Sequence, residues 1–495
     1  MIPAALLIPL ATAVVCYFFQ SARLIGYVSL AGAALSAAVV FGLAAASFGA
    51  PIEVVGGLLY MDALSGYVAA MVAFLGLASS LYSIGYLEHE LSAGLTDLRG
   101  MRRYYALFHL FLFTMLLVVM TNNLAVMWIA IEATTIVSAA LIGLGFYKRE
   151  LAIEAAWKYL ILCTVGITFA LLGVFIAYYA SIEAAGGEGT LDWTELRAMA
   201  ATLNPATMKL AFIFVLVGYG AKAGLAPVHN WLPDAHSEAP SPISALLSGV
   251  LLNTAFYGIM RFVSFVSPST GSAFTGTLLV IFGVASVGIA SIFILVQDNY
   301  KRLLAYSSIE HMGVICLGMG IGGAAALYGA LLHMFNHAVA KPLMFFTSGK
   351  IQAQYGSTSI DRVGGVLSAH PVWGTLTFIG VLALAGMPPF NIFISEFSVL
   401  RAGADRGSWV VVGLILFFLA VAFYGMLSAF GRMLLGGSGA RPSSGGHTPG
   451  TSLPATFLSA AAMVALGGLV VFSGLRVPGF VNSAIEASLG VLGVR

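Results

Sequence analysis

The chain has 495 residues, of which 60% are hydrophobic and 8% charged, with a net charge of +2. That composition excludes a soluble globular domain and describes a polytopic membrane protein, and its near-neutrality argues against nucleic acid as a partner. Cys16, Cys163 and Cys316 stand at unrelated spacings in apolar stretches, so the sequence carries no disulfide framework, zinc pattern or iron–sulfur ligand run. Phosphate loops and dinucleotide fingerprints are missing too. No cofactor is expected in this chain, and none of the cofactor-bearing chemistry of an enzyme.

About 20 apolar residues cross about 30 Å of hydrocarbon, and the sequence holds fourteen such segments: residues 2–20, 25–48, 62–85, 104–121, 123–145, 156–180, 207–226, 243–265, 273–296, 301–320, 323–347, 371–399, 408–432 and 455–475. The expected fold is an all-α polytopic membrane protein. The first run lacks a basic flank and a clear cleavage site and reads as a retained span, not a signal peptide. Proline interrupts the seventh span at Pro227 and the twelfth at Pro388-Pro389, and on the eleventh Pro342 follows Lys341. Spans 7, 11 and 12 are therefore expected to be broken. With the N-terminus outside, inner loops hold 12 basic residues and the outer side 7, with Lys158, Lys222 and Lys341 left in spans. This bias places both termini on the outer face of the cell membrane. Residues 181–207 read as an acidic outer loop and 434–452 as a Gly/Ser/Pro-rich inner linker. The tail, residues 478–495, is too short to span and is expected on the membrane surface or on a neighbouring protein.

Several charges stand where hydrocarbon makes them costly. Glu132 is central in its span, and Lys222 precedes the break at Ala226-Pro227, so the two are expected to be counter-ions. His333, His337 and Lys341 recur at i, i+4 and i+8 and share one helical face. Two histidines four apart suit zinc, but no further ligand is evident nearby in the sequence. Groups titrating across the physiological range suit proton relay better. Glu396 follows the second proline break, where it is either a functional charge or an interfacial acid near a helix end. Glu310 and His311 are adjacent and should face different directions. His229, Asp234, His236 and Glu238 follow the first break as a proton entrance or as caps, and Asp298, Lys301 and Arg302 read as a boundary anchor. Residues 223–227 and 385–389 resemble each other. The separations Glu132–Lys222 (90) and Glu310–Glu396 (86) nearly match, a pattern of paired broken helices that points to a transport site.

The runs AKAGLAPVHNWLPDAHSEAPSPISALLSG, QDNYKRLLAYSSIEHMG, LHMFNHAVAKPLMFFTSGKI and GMPPFNIFISEF resemble the antiporter-like membrane subunits of respiratory complex I. Those subunits are related to Mrp-type sodium/proton antiporters and to membrane arms of energy-converting NiFe hydrogenases. The SIEHMG run and the SEF after PPF look most like hydrogenase-4 component F, of the formate hydrogenlyase type. The resemblance implies fourteen spans with two inverted five-helix repeats. It divides the chain into residues 1–100, a three-span segment; 101–266 and 267–433, the repeats; and 434–495, linker, last span and tail. It further implies proton translocation by Glu132, Lys222, His333, His337, Lys341 and Glu396, with His229, Asp234, Glu238, Ser248, Glu310 and His311 as accessory candidates. Ser248 stands where many complex I members carry a histidine.

The function implied is a proton-translocating subunit of a multi-subunit oxidoreductase. Its partners would be other membrane subunits and a peripheral redox arm, and its ion H⁺, or Na⁺ in the alternative. NiFe centre, iron–sulfur clusters or quinone would sit in those partners. The alternative is a component of a Mrp-type cation/proton antiporter without redox partners.

Overall fold

The computed structural model describes residues 1–437 and 452–494. In chain order its helices are α1 (Ile2–Phe18), α2 (Ile25–Ser47), α3 (Ala63–Ser92), α4 (Leu98–Met120), α5 (Leu124–Ile142), α6 (Arg149–Ala185) and α7 (Trp193–Ala198). Next come α8 (Pro205–Ala223), α9 (Trp231–Glu238), α10 (Ser241–Leu246), α11 (Leu252–Thr270), α12 (Ser272–Leu295), α13 (Tyr300–Ile321) and α14 (Gly323–Tyr355). The remaining helices are α15 (Val366–Ala369), α16 (Pro371–Leu384), α17 (Asn391–Asp405), α18 (Trp409–Leu435), α19 (Leu453–Leu475) and α20 (Gly479–Val491). A π-helical turn, Leu247–Leu251, joins α10 to α11, and one hairpin pairs Ile52–Val54 with Leu59–Met61.

Eleven helices among the described residues are long and apolar enough to cross a membrane, and α1 and α16 are shorter apolar ones. Each of the fourteen apolar segments contains helix. Most of the linker expected at 434–452 lies outside the described residues. The loops gather at two ends. At one, Leu59 bridges to Thr121 and Asn123 to Asp192; at the other, Asn299 bridges to Ser359, Arg432 pairs with Asp361 and Ser452 donates to Glu88.

Two helices end alike, and for the same reason. Gly224 follows α8 and Gly386 follows α16 by two residues, each with positive φ (76° and 69°). That conformation lets Leu225 N–H reach back to Gly220 O (2.8 Å) and Met387 N–H to Leu382 O (3.0 Å), closing carbonyls that the missing next turn would leave unpaired. The paired runs in the sequence therefore do encode two breaks of one kind.

The expected break in the eleventh span does not form. α14 continues through Pro342 for 33 residues. Proline removes one helical hydrogen bond, but here tertiary packing holds the helix: α3, α10, α13, α16, α17 and α19 surround it. Its ring lies against Gly249, where an added Cβ would come within 3.3 Å of Pro342 Cγ. The irregular backbone is instead on the neighbouring strand of packing, in the π turn that carries Gly249.

The tail also departs from expectation. α20 packs on α3 and α14 of its own chain, burying Val481, Ala484 and Ile485, and Tyr328 donates to Asn482 Oδ1 at 2.7 Å. Its apolar positions follow helical spacing, which gives it a face to dock.

Arg261 is buried in α11 and donates from both Nη atoms to Asp62, the N-cap of α3, at 2.7 Å each. Its Nε donates to Tyr257 at 2.7 Å, and its guanidinium lies 4.1 Å from the Trp193 ring centroid. The Arg261 guanidinium is thus the counter-charge of a carboxylate that is itself buried. The pair ties the first three helices to the bundle. Replacing Asp62 by Asn should destabilise the protein by about 3–5 kcal/mol by leaving Arg261 buried without its counter-charge. The companion change Arg261→Met should recover much of the loss. Thermal unfolding in detergent reads both, and an Asp62→Asn protein as stable as the parent would remove the pair from this role.

Candidate functional site

The first half of the site is built where α8 stops. Lys222 lies in the last turn of α8, fully buried, where a cation favours the helix C-terminus. Its Nζ donates to Thr135 Oγ1 on α5 at 2.8 Å and to the Tyr159 hydroxyl on α6, and it sits 4.6 Å from the Tyr159 ring centroid. Tyr159 in turn shares a 2.7 Å hydrogen bond with Ser138. Trp231 Nε1 donates across the break to Ala221 O at 2.8 Å, and Ala226 N–H donates to Ser286 Oγ on α12 at 2.9 Å. The backbone at the break is thus met by side chains from two other elements, α9 and α12.

Glu132 is not the direct partner of Lys222. Its Oε1 accepts from Thr164 Oγ1 at 2.7 Å, and no Glu132–Lys222 ion pair occurs among the described residues. Thr135, one turn further along α5, takes the lysine instead. Glu132 is half-buried, with its Oε2 buried and unbonded among the described residues, on a face of α5 and α6 that also exposes Ile129, Ile136 and Trp157. Among the accessory candidates, Asp234 joins Arg302 (2.5 Å) and Lys158 (3.5 Å), so it ties α9 to α13 and α6. Lys158 is therefore a paired group near the start of α6, not an unpaired charge in a span. Glu238 accepts from Ser237 at 3.2 Å, and Lys301, expected to anchor a boundary, is buried and donates to Ala239 O at 3.2 Å. His229 is buried beside the break, and His236 stacks on Phe345 with neither ring nitrogen bonded among the described residues.

The second half is wholly buried and runs between α13, α14, α17 and the π turn. Lys341 Nζ donates to Leu304 O (2.9 Å) and to Ser307 Oγ. Ser308 donates to the same Leu304 carbonyl (3.1 Å) and meets Ser248 Oγ at 2.7 Å. His337 Nε2 lies 3.0 Å from Ser248 O and 3.4 Å from its hydroxyl. A carbonyl only accepts, so His337 carries its proton on Nε2, and its Nδ1 has no bonded partner among the described residues. Ser248 thus occupies the gap where a histidine was the alternative. The π turn carries both the hydroxyl and the carbonyl that meet His337.

His311 completes the line. Its ring centroid is 5.4 Å from that of His337 and 5.1 Å from that of His333. Ser395 Oγ donates to Ile392 O (2.8 Å), so His333 Nδ1 donates to Ser395 (3.0 Å) and His333 Nε2 accepts from His311 Nδ1 (3.1 Å). That leaves His311 Nε2 as a second unbonded acceptor. Glu396 Oε1 is 4.0 Å from His311 Nδ1, and Glu310, buried beside it, is within electrostatic reach of Lys341 and Glu396. His311 is therefore no isolated core histidine. The hydroxyls of Thr135, Tyr159, Ser307, Ser308 and Ser395 escaped sequence reasoning. Their only signal in the sequence is nearness to a charge: Thr135 and Ser307 stand three residues from Glu132 and Glu310, and Ser395 directly precedes Glu396.

These features, two buried lysines of which one lies at a broken helix, place the chain among antiporter-like membrane proteins. It belongs to the family described as NADH:quinone oxidoreductase/Mrp antiporter, TM, whose pattern matches residues 121–422. A relative, "Hydrogenase-4 component F homolog" of Methylacidiphilum infernorum, is 40% identical over 382 residues, covering 77% of this chain and 78% of its own. In fold the chain is similar to a chain of the membrane-bound sulfane sulfur reductase, an archaeal respiratory membrane complex. That match has TM-score 0.84 and 24% identity, and covers 100% of this chain and 98% of that one. It is also similar to a chain of respiratory complex I from Thermus thermophilus, at TM-score 0.77 and 25% identity, covering 98% and 100%.

Lys222 offers a test of what its hydroxyl setting is for. If the lysine exchanges a proton, both Lys222→Met and Lys222→Arg should assemble yet lose proton movement, because arginine stays charged at every working pH. A purely structural cation predicts Arg tolerated and Met destabilised. Proton uptake by the reconstituted complex, beside the amount assembled, separates the two.

Proposed function

We propose that the chain is the proton-translocating membrane subunit of a multi-subunit energy-converting oxidoreductase, of hydrogenase-4 or formate hydrogenlyase type. One observation carries this reading: the succession of buried groups from Lys341 through Ser307, Ser308, Ser248, His337, His311 and His333 to Ser395 and Glu396. Lys341 donates to Ser307 and shares the Leu304 carbonyl with Ser308. Ser308 and Ser248, Ser248 and His337, His311 and His333, and His333 and Ser395 are in hydrogen-bond contact. The His337 and His311 rings are 5.4 Å apart by centroid, and Glu396 Oε1 is 4.0 Å from His311 Nδ1. Intramembrane ionisable groups are costly, and groups that are both costly and contiguous suit ion movement better than packing. Lys222, with Thr135, Tyr159 and Glu132, forms the corresponding charge site in the first half.

In this reading Glu396 is the exit and Glu132 faces a neighbouring membrane subunit, since a half-buried carboxylate on an apolar face is poorly suited to lipid. Redox cofactors belong to partner subunits, whose reaction drives the displacement of protons. Both termini lie on the outer face, supported by the bias of 12 basic residues against 7. The fourteen spans and the inverted repeats belong to the same reading, supported by the two alike breaks after α8 and α16.

Glu396→Gln keeps the volume and hydrogen-bonding capacity of the carboxyl but cannot titrate. We expect the assembled variant to lose proton translocation by about 100-fold, the scale of a positioned acid–base group, with redox-subunit assembly unchanged. Pumping at the parental rate in vesicles would make Glu396 a structural acid.

A further inference from the structure

His311, His333 and Glu396 come from three different helices, α13, α14 and α17, yet one ligand atom of each lies within 4.8 Å of the others. We propose that these three side chains form a binding site for a single divalent transition-metal ion of the zinc class.

The spacing is close to what such an ion requires. Ligand atoms around tetrahedral zinc stand about 3.3 Å apart, given bonds of about 2.0–2.2 Å. His311 Nδ1 and His333 Nε2 are already 3.1 Å apart, and the carboxylate oxygen is 4.0 Å from the same Nδ1. Two imidazoles and one carboxylate are a known zinc set, with a fourth position left for water.

The surroundings also prepare the ligands. His333 Nδ1–H is held by Ser395 Oγ, itself fixed on Ile392 O, which directs the His333 Nε2 lone pair into the site. His311 now points its Nδ1–H the same way. Its Nε2 is buried without a bonded partner among the described residues, so that nitrogen takes the proton as the metal takes Nδ1. Neither histidine need lose a proton, and Glu396 binds as the carboxylate, releasing its proton where it carries one. The charges facing it are Lys341, opposing a cation, and Glu310, which together with Glu396 balances one. Glu396 retains 7% exposure while both histidines have none, so the ion reaches the site past the carboxylate.

The binding claim is independent of proton translocation. Its consequence rests on that reading: a bound ion occupies the lone pairs that pass between His311 and His333 and should arrest transport.

The test uses the full-length chain purified in detergent, exposed to Zn²⁺ and then freed of excess. Zinc content and zinc-edge X-ray absorption should show one ion per chain with nitrogen and oxygen ligands only. His311→Gln and Glu396→Gln should each weaken binding by tenfold or more. Ser395→Ala, a milder change that frees the His333 ring, should weaken it by about tenfold, the usual effect of losing an orienting partner. Circular dichroism verifies that each variant remains helical. A parent that retains no zinc, or zinc held equally by all three variants, would overturn the site. If zinc binds as described and the parent still pumps at its full rate, the site stands and the relay reading falls.

Discussion

Lys222 has no exposed surface, and hydroxyls, not a carboxylate, receive its ammonium group. Unpaired burial of an ion costs several kcal/mol even after relaxation, by order of magnitude. The bundle meets that constraint by ending α8 at the lysine, so that the helix C-terminus, Thr135 and the Tyr159 hydroxyl and ring all face the charge. The stop itself needs Gly224 in a left-handed conformation, Trp231 capping Ala221 O and Ser286 holding Ala226 N–H. Removing Ser286 leaves Ala226 N–H unpaired in an apolar interior, and removing Trp231 leaves Ala221 O only its long bond from Gly224 N–H. The broken helix and the buried charge are therefore one construction.

The second half solves the same problem differently. Lys341 sits in the middle of a continuous helix, so no helix end is at hand. Its partners are a carbonyl and a hydroxyl of α13, and the irregular backbone is displaced to the π turn opposite. That turn provides Ser248, whose two oxygens meet His337. Hydroxyls and imidazoles then continue to Ser395 beside Glu396. Fixed tautomers give the line a direction: protons sit on His337 Nε2, His311 Nδ1 and His333 Nδ1, leaving two acceptors, on facing rings, unbonded. A proton arriving at either acceptor can be balanced by one leaving the far nitrogen of the same ring, as imidazole relay requires.

Much of this was legible in the sequence, wherever the signal lies within one helix. The row His333, His337, Lys341 follows from 3.6-residue periodicity, and the breaks after α8 and α16 follow from glycine and proline chemistry. What connects helices was not legible. His311 was placed on a different face from Glu310, but nothing in the sequence says which helix that face meets. Lys222 was paired with Glu132 because opposite charges attract. The three-dimensional register instead gives Thr135, one turn away, to the lysine. Local rule makes Pro342 a break, and packing against Gly249 and the helices around α14 overrides it. Asp62 and Arg261, 199 positions apart, form a clamp that no local pattern announces.

Ser248 is the narrowest link in the line, since its hydroxyl is the only described side-chain group bonded to both Ser308 and His337. The direct measurement is proton translocation per redox turnover by the assembled complex in vesicles, comparing the parent with Ser248→Ala and Ser248→Thr. Alanine removes one oxygen and leaves the backbone carbonyl, so assembly should persist. Translocation should fall about tenfold or more, as for loss of a positioned proton-transfer group, and threonine should restore it. Full translocation in Ser248→Ala would contradict a proton path along this line of side chains.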